Sequence, residues 1–383
     1  EFGWQPLIVS AHPRAYERIG SDLDSQVPIS AVVRRAFALD TARHLAIGGR
    51  HIGAMARPDR WVSWKFDAVR QGLQLIREFR PATIWSTYPI ATAHLIGAEL
   101  HRRSGLPWVA DFRDPMAQDG YPEDPRTWQQ FKDIERYAMQ NAARSLFTTP
   151  GAAALYKSKY PEAAQRIGVL ENGYDEDSFG VAEQEASMPT AALNSGAITL
   201  LHSGIVYPSE RDPTQLFHAL RQLKESKRIE SGSVKIRFRA AVHDGLLQRL
   251  AAENGVEGFV EICPPIPYKD ALTEMLRTDA LLVMQGENCN NQIPAKVYEY
   301  LRAGRPIFCL SDPAGDTIGV LRQAGIHSSA RLDCAKDIVA QFPLFLESVR
   351  TGKSDLPHPD FVRRASRRGR TEALANVLNR ITG

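Results

Sequence analysis

The sequence lacks the signatures of several common enzyme classes. It contains no G-x-x-x-x-G-K-[ST] phosphate loop, no G-x-G-x-x-G turn, no G-x-S-x-G elbow and no H-E-x-x-H pair. Its 10 histidines do not cluster at the spacing of metal ligands. Because these patterns carry the chemistry of kinases, nicotinamide-dependent dehydrogenases, serine hydrolases and zinc proteases, their absence argues against all four classes.

Cysteine is scarce, and long apolar runs are missing. The 4 cysteines have no disulfide or metal spacing, as expected in a reducing compartment. No stretch approaches the ~18 apolar residues that a membrane helix needs, and no signal peptide is recognisable. The formal net charge of +3 argues against a dedicated nucleic-acid partner. We therefore predict a cytoplasmic protein that does not span a membrane, although it can lie on one.

Apolar, strand-like runs alternate with helical segments along most of the 383 residues. This alternation predicts an α/β fold with parallel sheets, and the length predicts two domains. Residues 20–60 have weak periodicity and are predicted to form a long loop with short helices. We predict an N-terminal domain over 1–180, a linker over 181–197 and a C-terminal domain over 198–355.

Residues 288–310 show the clearest chemical pattern. They predict a loop, a helix with Pro294 in its first turn, a stop at Gly304 and a buried strand. Lys296 and Glu299 are three residues apart, so they project from nearly one face of this helix. The helix N-terminus and the lysine suit a phosphate, and the glutamate can accept two hydrogen bonds from a ribose diol. The alternative is an ordinary amphipathic helix with a Lys/Glu pair.

Two further stretches place polar side chains where strands are predicted to end. One is WVADFRDP, in which Asp111, Arg113 and Asp114 follow a strand, the position at which open α/β sheets bind ligands. The other is LLHSGIVYPSERDP, in which Gly204 permits close approach of a ligand to the backbone and Arg211 adds charge. The alternatives are an exposed turn with local ion pairing and a surface arginine.

Five stretches, in order along the chain, resemble the motifs of retaining glycosyltransferases of the GT-B fold. They are TYPIATAHLIG (87–97), WVADFRDP (108–115), LENGYDEDSF (170–179), LLHSGIVYPSERDP (200–213) and NCNNQIPAKVYEYLRAGRPIFCL (288–310). The resemblance implies two facing Rossmann-like domains and transfer of a sugar, with retention, from a nucleotide-diphosphate sugar. The acceptor that it implies is a saccharide or a lipid-linked glycan, in polysaccharide or glycan biosynthesis.

The resemblance also implies roles for the donor-site residues. Glu299 would hold the ribose, and Lys296 and Arg211 would hold the diphosphate. The backbone at Ile293 and Pro294 would face the phosphates or the donor sugar.

Further roles follow from the same resemblance. Gly204 would lie in a loop that faces the diphosphate, and Ile266 in a loop near the nucleobase. Asn291 stands where many members carry a second glutamate, and because asparagine is not a carboxylate, the contact with the donor sugar must differ. The residues assigned to the sugar and acceptor side are Asp111, Arg113 and Asp114. The residues predicted to act in catalysis are Arg211, Lys296 and Asp114.

No metal and no other cofactor are predicted. An arginine and a lysine can neutralise the charge that builds on a leaving diphosphate without a metal. Two D-x-D pairs, Asp22/Asp24 and Asp175/Asp177, fall in turn-like loops and are not assigned to a metal.

The two ends of the chain carry further expectations. In the family, a strand, a loop and a helix precede the region that resembles residues 1–11, and we expect them to be absent here. The final helix, over 360–381, is expected to complete the N-terminal domain. Its arginines predict a solvated face or, alternatively, docking on anionic lipid. They are Arg363, Arg364, Arg367, Arg368 and Arg370.

Two rival functions remain open at this point. One is a nucleotide-sugar epimerase of the same fold, which would turn over its donor without an acceptor. The other is a glycosyltransferase-like scaffold that binds without transfer.

Overall fold

The computed structural model describes residues 1–17, 19, 27–46, 48, 53–187 and 193–383. The chain forms two compact units. Unit 1 comprises Glu1–Leu170 and Thr371–Gly383, and unit 2 comprises Glu171–Arg370. Each unit is an α/β unit with parallel sheets, as helices that alternate with short apolar strands require.

The described part of unit 1 contains two groups of parallel strands. Strands β3 to β6 form a sheet in chain order, and β1 pairs with β2. The strands are β1 (Leu7–Ala11), β2 (Val32–Ala36), β3 (Ile84–Thr87), β4 (Trp108–Arg113), β5 (Arg144–Phe147) and β6 (Ile167–Val169). The helices are α1 (Thr41–His44), α2 (Trp64–Phe79), α3 (Ala91–Ser104), α4 (Pro125–Asn141) and α5 (Pro150–Lys159).

Aromatic side chains fill the core around β4. Trp108, the first residue of this strand, and Phe112, the last but one, are fully buried. Phe112 stacks on Phe147 with 5.2 Å between ring centroids, and Phe147 lies 4.3 Å from the ring of Tyr156. Because large rings in close contact bury much apolar area, this cluster fixes the carboxyl end of β4, from which residues 111–114 project.

Unit 2 is a doubly wound sheet with the strand order β12-β11-β10-β7-β8-β9, all parallel. Its strands are β7 (Ile198–Ser203), β8 (Val234–Arg239), β9 (Val260–Cys263), β10 (Ala280–Gln285), β11 (Ile307–Ser311) and β12 (Ser329–Ala330). Its helices are α6 (Glu176–Ala186), α7 (Thr214–Glu225), α8 (Asp244–Asn254), α9 (Tyr268–Arg277), α10 (Lys296–Ala303), α11 (Asp316–Gln323), α12 (Ala335–Arg350) and α13 (Pro359–Arg364), with α14 (Arg367–Thr382) beginning here and ending in unit 1.

The central strands of unit 2 are buried on both faces. In β10, Leu282 and Met284 belong to the apolar cluster formed with α7, α8 and α12. Leu281 and Val283 belong to the cluster on the opposite face, formed with α6, α9, α10 and α11. Helices on both faces explain why these strands are continuous apolar runs rather than alternating ones.

The structure confirms the predicted fold class, an α/β fold of two Rossmann-like units. One local prediction was wrong, because the loop predicted over residues 20–60 contains β2. Arg34 and Arg35 are exposed in this strand, which pairs with β1. Two exposed arginines in five residues hide the apolar pattern by which a strand is recognised.

The predicted linker over 181–197 was also partly wrong. Helix α6 continues to Ala186, and Phe179 and Ala182 are buried against Leu272 of α9. The small residues of this segment pack closely on a helix, whereas their composition suggested an exposed connection. Unit 2 therefore begins at Glu171, well before the predicted boundary at residue 198, and it extends beyond the predicted end at residue 355.

The helix predicted over 360–381 is divided into α13 and α14. Ser366 separates the two helices, and its Oγ accepts a hydrogen bond from the backbone N–H of Gly369 at 3.0 Å, as an N-cap does. In unit 1, Leu378 of α14 packs with Val109 of β4 and Leu146 of β5.

Candidate functional site

The predicted donor-site residues of unit 2, apart from Ile266, follow the carboxyl ends of β7 and β10. These strands are neighbours in the sheet although they are far apart in the chain. The chain continues from β7 to β8 toward one edge of the sheet and from β10 to β11 toward the other edge, so the strand order reverses between β7 and β10. A doubly wound sheet opens a crevice at this point, and ligands bind there.

Lys296 is the first residue of α10, and its amine reaches the end of β7. Nζ lies 3.5 Å from Nε2 of His202. A Cβ at Gly204 would lie 2.7 Å from the same Nζ, and Gly204 has a φ of +117°. Glycine at this position therefore leaves the space that the lysine side chain occupies.

The charge of the amine is set by its surroundings. Burial and, to a smaller extent, the Arg211 guanidinium lower the pKa of Lys296 to about 7, and Glu299 acts in the opposite direction. His202 Nδ1 lies 3.0 Å from the carbonyl oxygen of Leu282, so Nδ1 carries the proton and Nε2 presents its lone pair to the amine. Burial also holds the pKa of His202 well below its usual value, so this residue orients the amine without adding charge.

Arg211 supplies the second cation. Its Nη1 donates a hydrogen bond to the backbone oxygen of Ile205 at 3.2 Å, and its guanidinium lies 5.3 Å from the ring centroid of Tyr207. Its Nε is buried and has no hydrogen-bond partner among the residues that the structure describes. A buried donor of this kind is costly unless something accepts from it, and an anion oxygen would do so.

Glu299 lies one turn after Lys296 on α10. Its Oε1 accepts a hydrogen bond from Tyr268 Oη at 2.8 Å. Burial raises the pKa of Glu299, while the Tyr268 bond, Lys296 and Arg367 oppose that shift. A carboxylate has about four acceptor positions, so hydroxyl groups of a ligand can still bind to it.

The remaining predicted donor-site residues lie in two loops. Ile266 is half-buried in the loop between β9 and α9, and Asn291 is exposed in the loop before α10. Ile293 has a buried side chain in the apolar core, so its backbone is the part that a ligand can contact. Pro294 precedes α10, which begins at Lys296, so its predicted place in the first turn was wrong.

Three residues at the site were not identified from the sequence. They are His202, Tyr268 and Tyr300. Tyr300 Oη accepts a hydrogen bond from the backbone N–H of Ser203 at 2.8 Å and so fixes the end of β7. The sequence offers one indication of His202, because this residue stands directly before Ser-Gly at the end of a predicted strand. It offers none for Tyr268, because no spacing rule connects this residue with α10.

In unit 1, the structure brings Asp111, Arg113 and Asp114 together at the end of β4. Asp111 accepts a hydrogen bond from Thr87 Oγ1 at 2.8 Å, and burial raises the pKa of Asp111 to about 6. Burial raises the pKa of Asp114 as well, and Arg113 opposes both shifts. Arg113 has a φ of +57°, which turns the chain sharply between the two carboxylates.

Asp59 is a third carboxylate in this region that the sequence did not indicate. It accepts a hydrogen bond from the backbone N–H of Thr92, at the start of α3, at 2.7 Å. Burial raises its pKa. Asp59 and Asp114 both act on the pKa of Tyr88, which is raised chiefly by burial, so the two carboxylates lie near the same phenol.

The D-x-D pairs do not form a recognisable metal site in the described residues. Asp22 and Asp24 lie outside those residues. Asp175 caps α6 by accepting from the backbone N–H of Asp177 and forms an ion pair with Arg367. Across the described part of the chain, no group of three or more His, Cys, Asp or Glu side chains has a metal-binding arrangement.

Several of the C-terminal arginines take part in ion pairs. Arg363 pairs with Asp360 on its own helix, and Arg370 pairs with Glu171. The pairing partly neutralises the charge of this cluster. Within the described ranges, no helix combines the length and the apolar character that crossing a bilayer requires.

By sequence, the chain matches no family model and no curated protein. By structure, it is similar to sucrose-phosphate synthase from Thermosynechococcus elongatus, with a TM-score of 0.62, 10% identity and coverage of 99% of this chain and 89% of that one. It is also similar to HepE from Anabaena in complex with UDP, with a TM-score of 0.56, 12% identity and coverage of 94% and 85%. For an α,α-trehalose 6-phosphate synthase from Burkholderia multivorans, the TM-score is 0.59 at 11% identity, with coverage of 84% and 76%.

These structural neighbours are glycosyltransferases of the GT-B fold. The likeness covers 84–99% of this chain, at sequence identities of only 10–12%. At such identities it establishes the fold. This chain therefore has the GT-B fold.

Proposed function

We propose that this protein is a glycosyltransferase that moves a sugar from a nucleotide-diphosphate sugar to a saccharide or a lipid-linked glycan. The proposal includes retention at the anomeric carbon, independence of metal ions, and a role in polysaccharide or glycan biosynthesis. It also includes a cytoplasmic location, with contact between the arginines of α13 and α14 and an anionic membrane that carries the acceptor.

One observation carries the proposal: Lys296, Arg211 and Glu299 meet at the switch point of unit 2. The two cations act on one another electrostatically, as the lowered pKa of Lys296 indicates. The carboxylate lies one helical turn away on the same element. A nucleoside diphosphate offers matching groups, because its phosphates are anionic and its ribose diol donates hydrogen bonds.

The same groups suit the chemistry of glycosyl transfer. When the bond between the anomeric carbon and the phosphate oxygen breaks, the electron pair remains on the diphosphate. Lys296 and Arg211 stabilise that charge without a metal. A phosphate oxygen can take the proton of the acceptor hydroxyl as the new bond to the anomeric carbon forms, so no separate base is needed.

Unit 1 carries the groups proposed for the sugar and acceptor side. Asp111, Arg113 and Asp114 present two carboxylates and a guanidinium, which bind hydroxyl groups by charge-assisted hydrogen bonds. Asp59 adds a third carboxylate to this set. We propose Asp114 as the residue of this group that acts in catalysis.

The Glu299→Ala variant tests the donor site. We expect one of UDP, GDP, ADP, TDP and CMP to bind the wild-type protein tightly in calorimetry. Each charge-assisted hydrogen bond that the variant loses should weaken binding by ~1.5–3 kcal/mol. This corresponds to an increase in Kd of about ten- to a hundredfold for each bond.

A matched control separates a ribose contact from a general effect on the fold. Glu253 is exposed on α8 in the same unit, and Glu253→Ala should bind the nucleotide as the wild type does. If α10 is merely an amphipathic helix, Glu299→Ala and Glu253→Ala will bind equally well, and the proposed site is then wrong.

Nucleotide binding should also depend on pH through Lys296. Its pKa is about 7 in the free protein, and a bound diphosphate raises it. Binding therefore takes up a proton above pH 7, and affinity should fall by up to about tenfold per pH unit as the pH rises from 7. Calorimetry between pH 7 and 9 measures this slope. In Lys296→Arg the cation does not titrate, so the slope should disappear, and an equal slope in both proteins would contradict the assignment.

Asn291 favours a second candidate function. It is exposed in the loop before α10, where a second carboxylate would be expected in a typical donor site. A nucleotide-sugar epimerase or a binding scaffold would tolerate that change. Incubation of the tightest-binding nucleotide sugar without an acceptor distinguishes these functions, because an epimerase rearranges the sugar, a scaffold leaves it intact, and a transferase adds it to saccharides once they are supplied.

A further inference from the structure

Tyr268 connects two elements of unit 2 that the proposed ribose contact depends on. It is the first residue of α9 and follows a loop that contains three prolines between residues 264 and 267. Its Oη donates a hydrogen bond to Oε1 of Glu299, on α10, at 2.8 Å. The side chain is 46% exposed although its hydroxyl group is engaged. Part of the ring therefore faces solvent directly beside the carboxylate.

The bond is a stable feature of the site near neutral pH. Burial and the adjacent Glu299 carboxylate raise the pKa of Tyr268, so its hydroxyl group remains protonated and can only donate to the carboxylate. The other groups that act on Glu299 are cations, Lys296 and Arg367. Tyr268 is therefore a neutral donor that holds one carboxylate oxygen in a defined direction.

The orientation of this carboxylate determines what it can recognise. A glutamate side chain on a helix has three rotatable bonds, and without a partner it samples many directions. Two vicinal hydroxyl groups need both acceptor positions at fixed places, and a supporting hydrogen bond from a neighbouring residue provides that precision. Because the bond from Tyr268 uses only part of the acceptor capacity of Oε1, it leaves room for the hydroxyl groups of a ligand.

We propose that Tyr268 is a positioning residue that makes this site select ribonucleoside diphosphates over their 2′-deoxy counterparts. It does so by fixing Glu299 where it accepts hydrogen bonds from both ribose hydroxyl groups. The inference rests on the proposed function, because it concerns the same donor site. It goes further in assigning the discrimination between ribose and deoxyribose to a residue outside α10.

The experiment compares each ribonucleotide with its deoxy analogue on the full chain. Calorimetry is performed with UDP and 2′-deoxy-UDP, GDP and 2′-deoxy-GDP, and ADP and 2′-deoxy-ADP, on the wild type and on Tyr268→Phe. Phenylalanine keeps the ring and removes the hydroxyl group. We expect the ratio of ribo to deoxy affinity to fall about tenfold in the variant, which corresponds to about 1.4 kcal/mol, while the affinity for the deoxy nucleotide stays within about twofold.

Two further variants make the result decisive. Glu299→Gln retains the shape of the side chain and loses its charge, and it should lower the same ratio. Tyr137→Phe removes a tyrosine hydroxyl group from α4, which belongs to unit 1 rather than to unit 2, and should leave both affinities unchanged. If Tyr268→Phe does not fold by circular dichroism, Tyr268→Leu, which also removes the hydroxyl group of this half-exposed residue, decides the proposal in its place.

The outcomes distinguish this inference from the function on which it rests. An equal loss of ribo and deoxy affinity in Tyr268→Phe, or a wild type without preference for ribose, overturns the role of Tyr268 and leaves the nucleotide site standing. Failure of the wild type to bind any of these six nucleotides, and TDP and CMP as well, overturns the proposed function itself and the role of Tyr268 with it.

Discussion

Replacing Lys296 by alanine is expected to lower the rate of glycosyl transfer by about 10²–10³, the cost of removing one group that stabilises charge in a transition state. Its amine lies at the end of β7 beside His202 and is within the electrostatic influence of Arg211. Among the described residues of unit 2, no other lysine begins a helix at this switch point. The measurement is release of the nucleoside diphosphate from the donor sugar that the calorimetric panel identifies, at saturating donor.

Two variants control this experiment. Lys336→Ala removes an exposed lysine near the start of α12 and should leave the rate unchanged. Lys296→Arg keeps a positive charge, but the planar guanidinium is larger than the amine, so it should restore only part of the rate. Full activity in Lys296→Ala would exclude the amine from the stabilisation of the leaving group.

Gly204→Ala is expected to disrupt the same site without removing any charge. The added Cβ would lie 2.7 Å from Lys296 Nζ and 3.3 Å from its Cε, and the residue would have to keep a φ of +117°. A residue other than glycine that keeps such a positive φ loses of the order of 1–3 kcal/mol of stability. Because the side chain of Lys296 must move as well, nucleotide affinity should fall about tenfold or more, the equivalent of one lost charge-assisted hydrogen bond.

The matched control is Gly245→Ala, in α8 of the same unit. A Cβ at Gly245 meets nothing within 4 Å. Alanine should therefore stabilise this helix by roughly 0.5–1 kcal/mol and leave nucleotide binding unchanged. Denaturant unfolding measures the first effect and calorimetry the second. Unaltered binding in Gly204→Ala would show that the close approach of Lys296 to β7 is not needed for the ligand.

Elements with a strong local pattern were predictable from the sequence. Strand β10 is a run of apolar residues that ends in Gln285, and all six of its residues are buried. Helix α10 ends at Ala303, and Gly304 follows it with a φ of +65°, in agreement with the helix stop predicted at this glycine. By contrast, β2 was not predicted, because the exposed Arg34 and Arg35 interrupt its apolar pattern. The end of α6 was not predicted either, because small residues are common both in loops and in helices that pack closely.

The candidate site was predictable only in part. The Lys296–Glu299 pair follows from helical spacing, which any sequence displays directly. The partners of these residues do not follow from spacing, because the contact between Lys296 and His202 spans 94 residues and the contact between Glu299 and Tyr268 spans 31. Such contacts exist only after β7 has paired with β10 and α9 has packed beside α10.

The sequence by itself determined the alternation of strands and helices, the doubly wound α/β class, and a helix that carries a lysine and a glutamate on one face. These features depend on hydrophobic periodicity and on turn residues, which act over a few neighbouring residues. The tertiary structure alone decided three others: the order of the strands, the tautomer of His202 and the lowered pKa of Lys296. All three depend on which distant groups become neighbours and on how far they are removed from water, and only the packed fold sets those conditions.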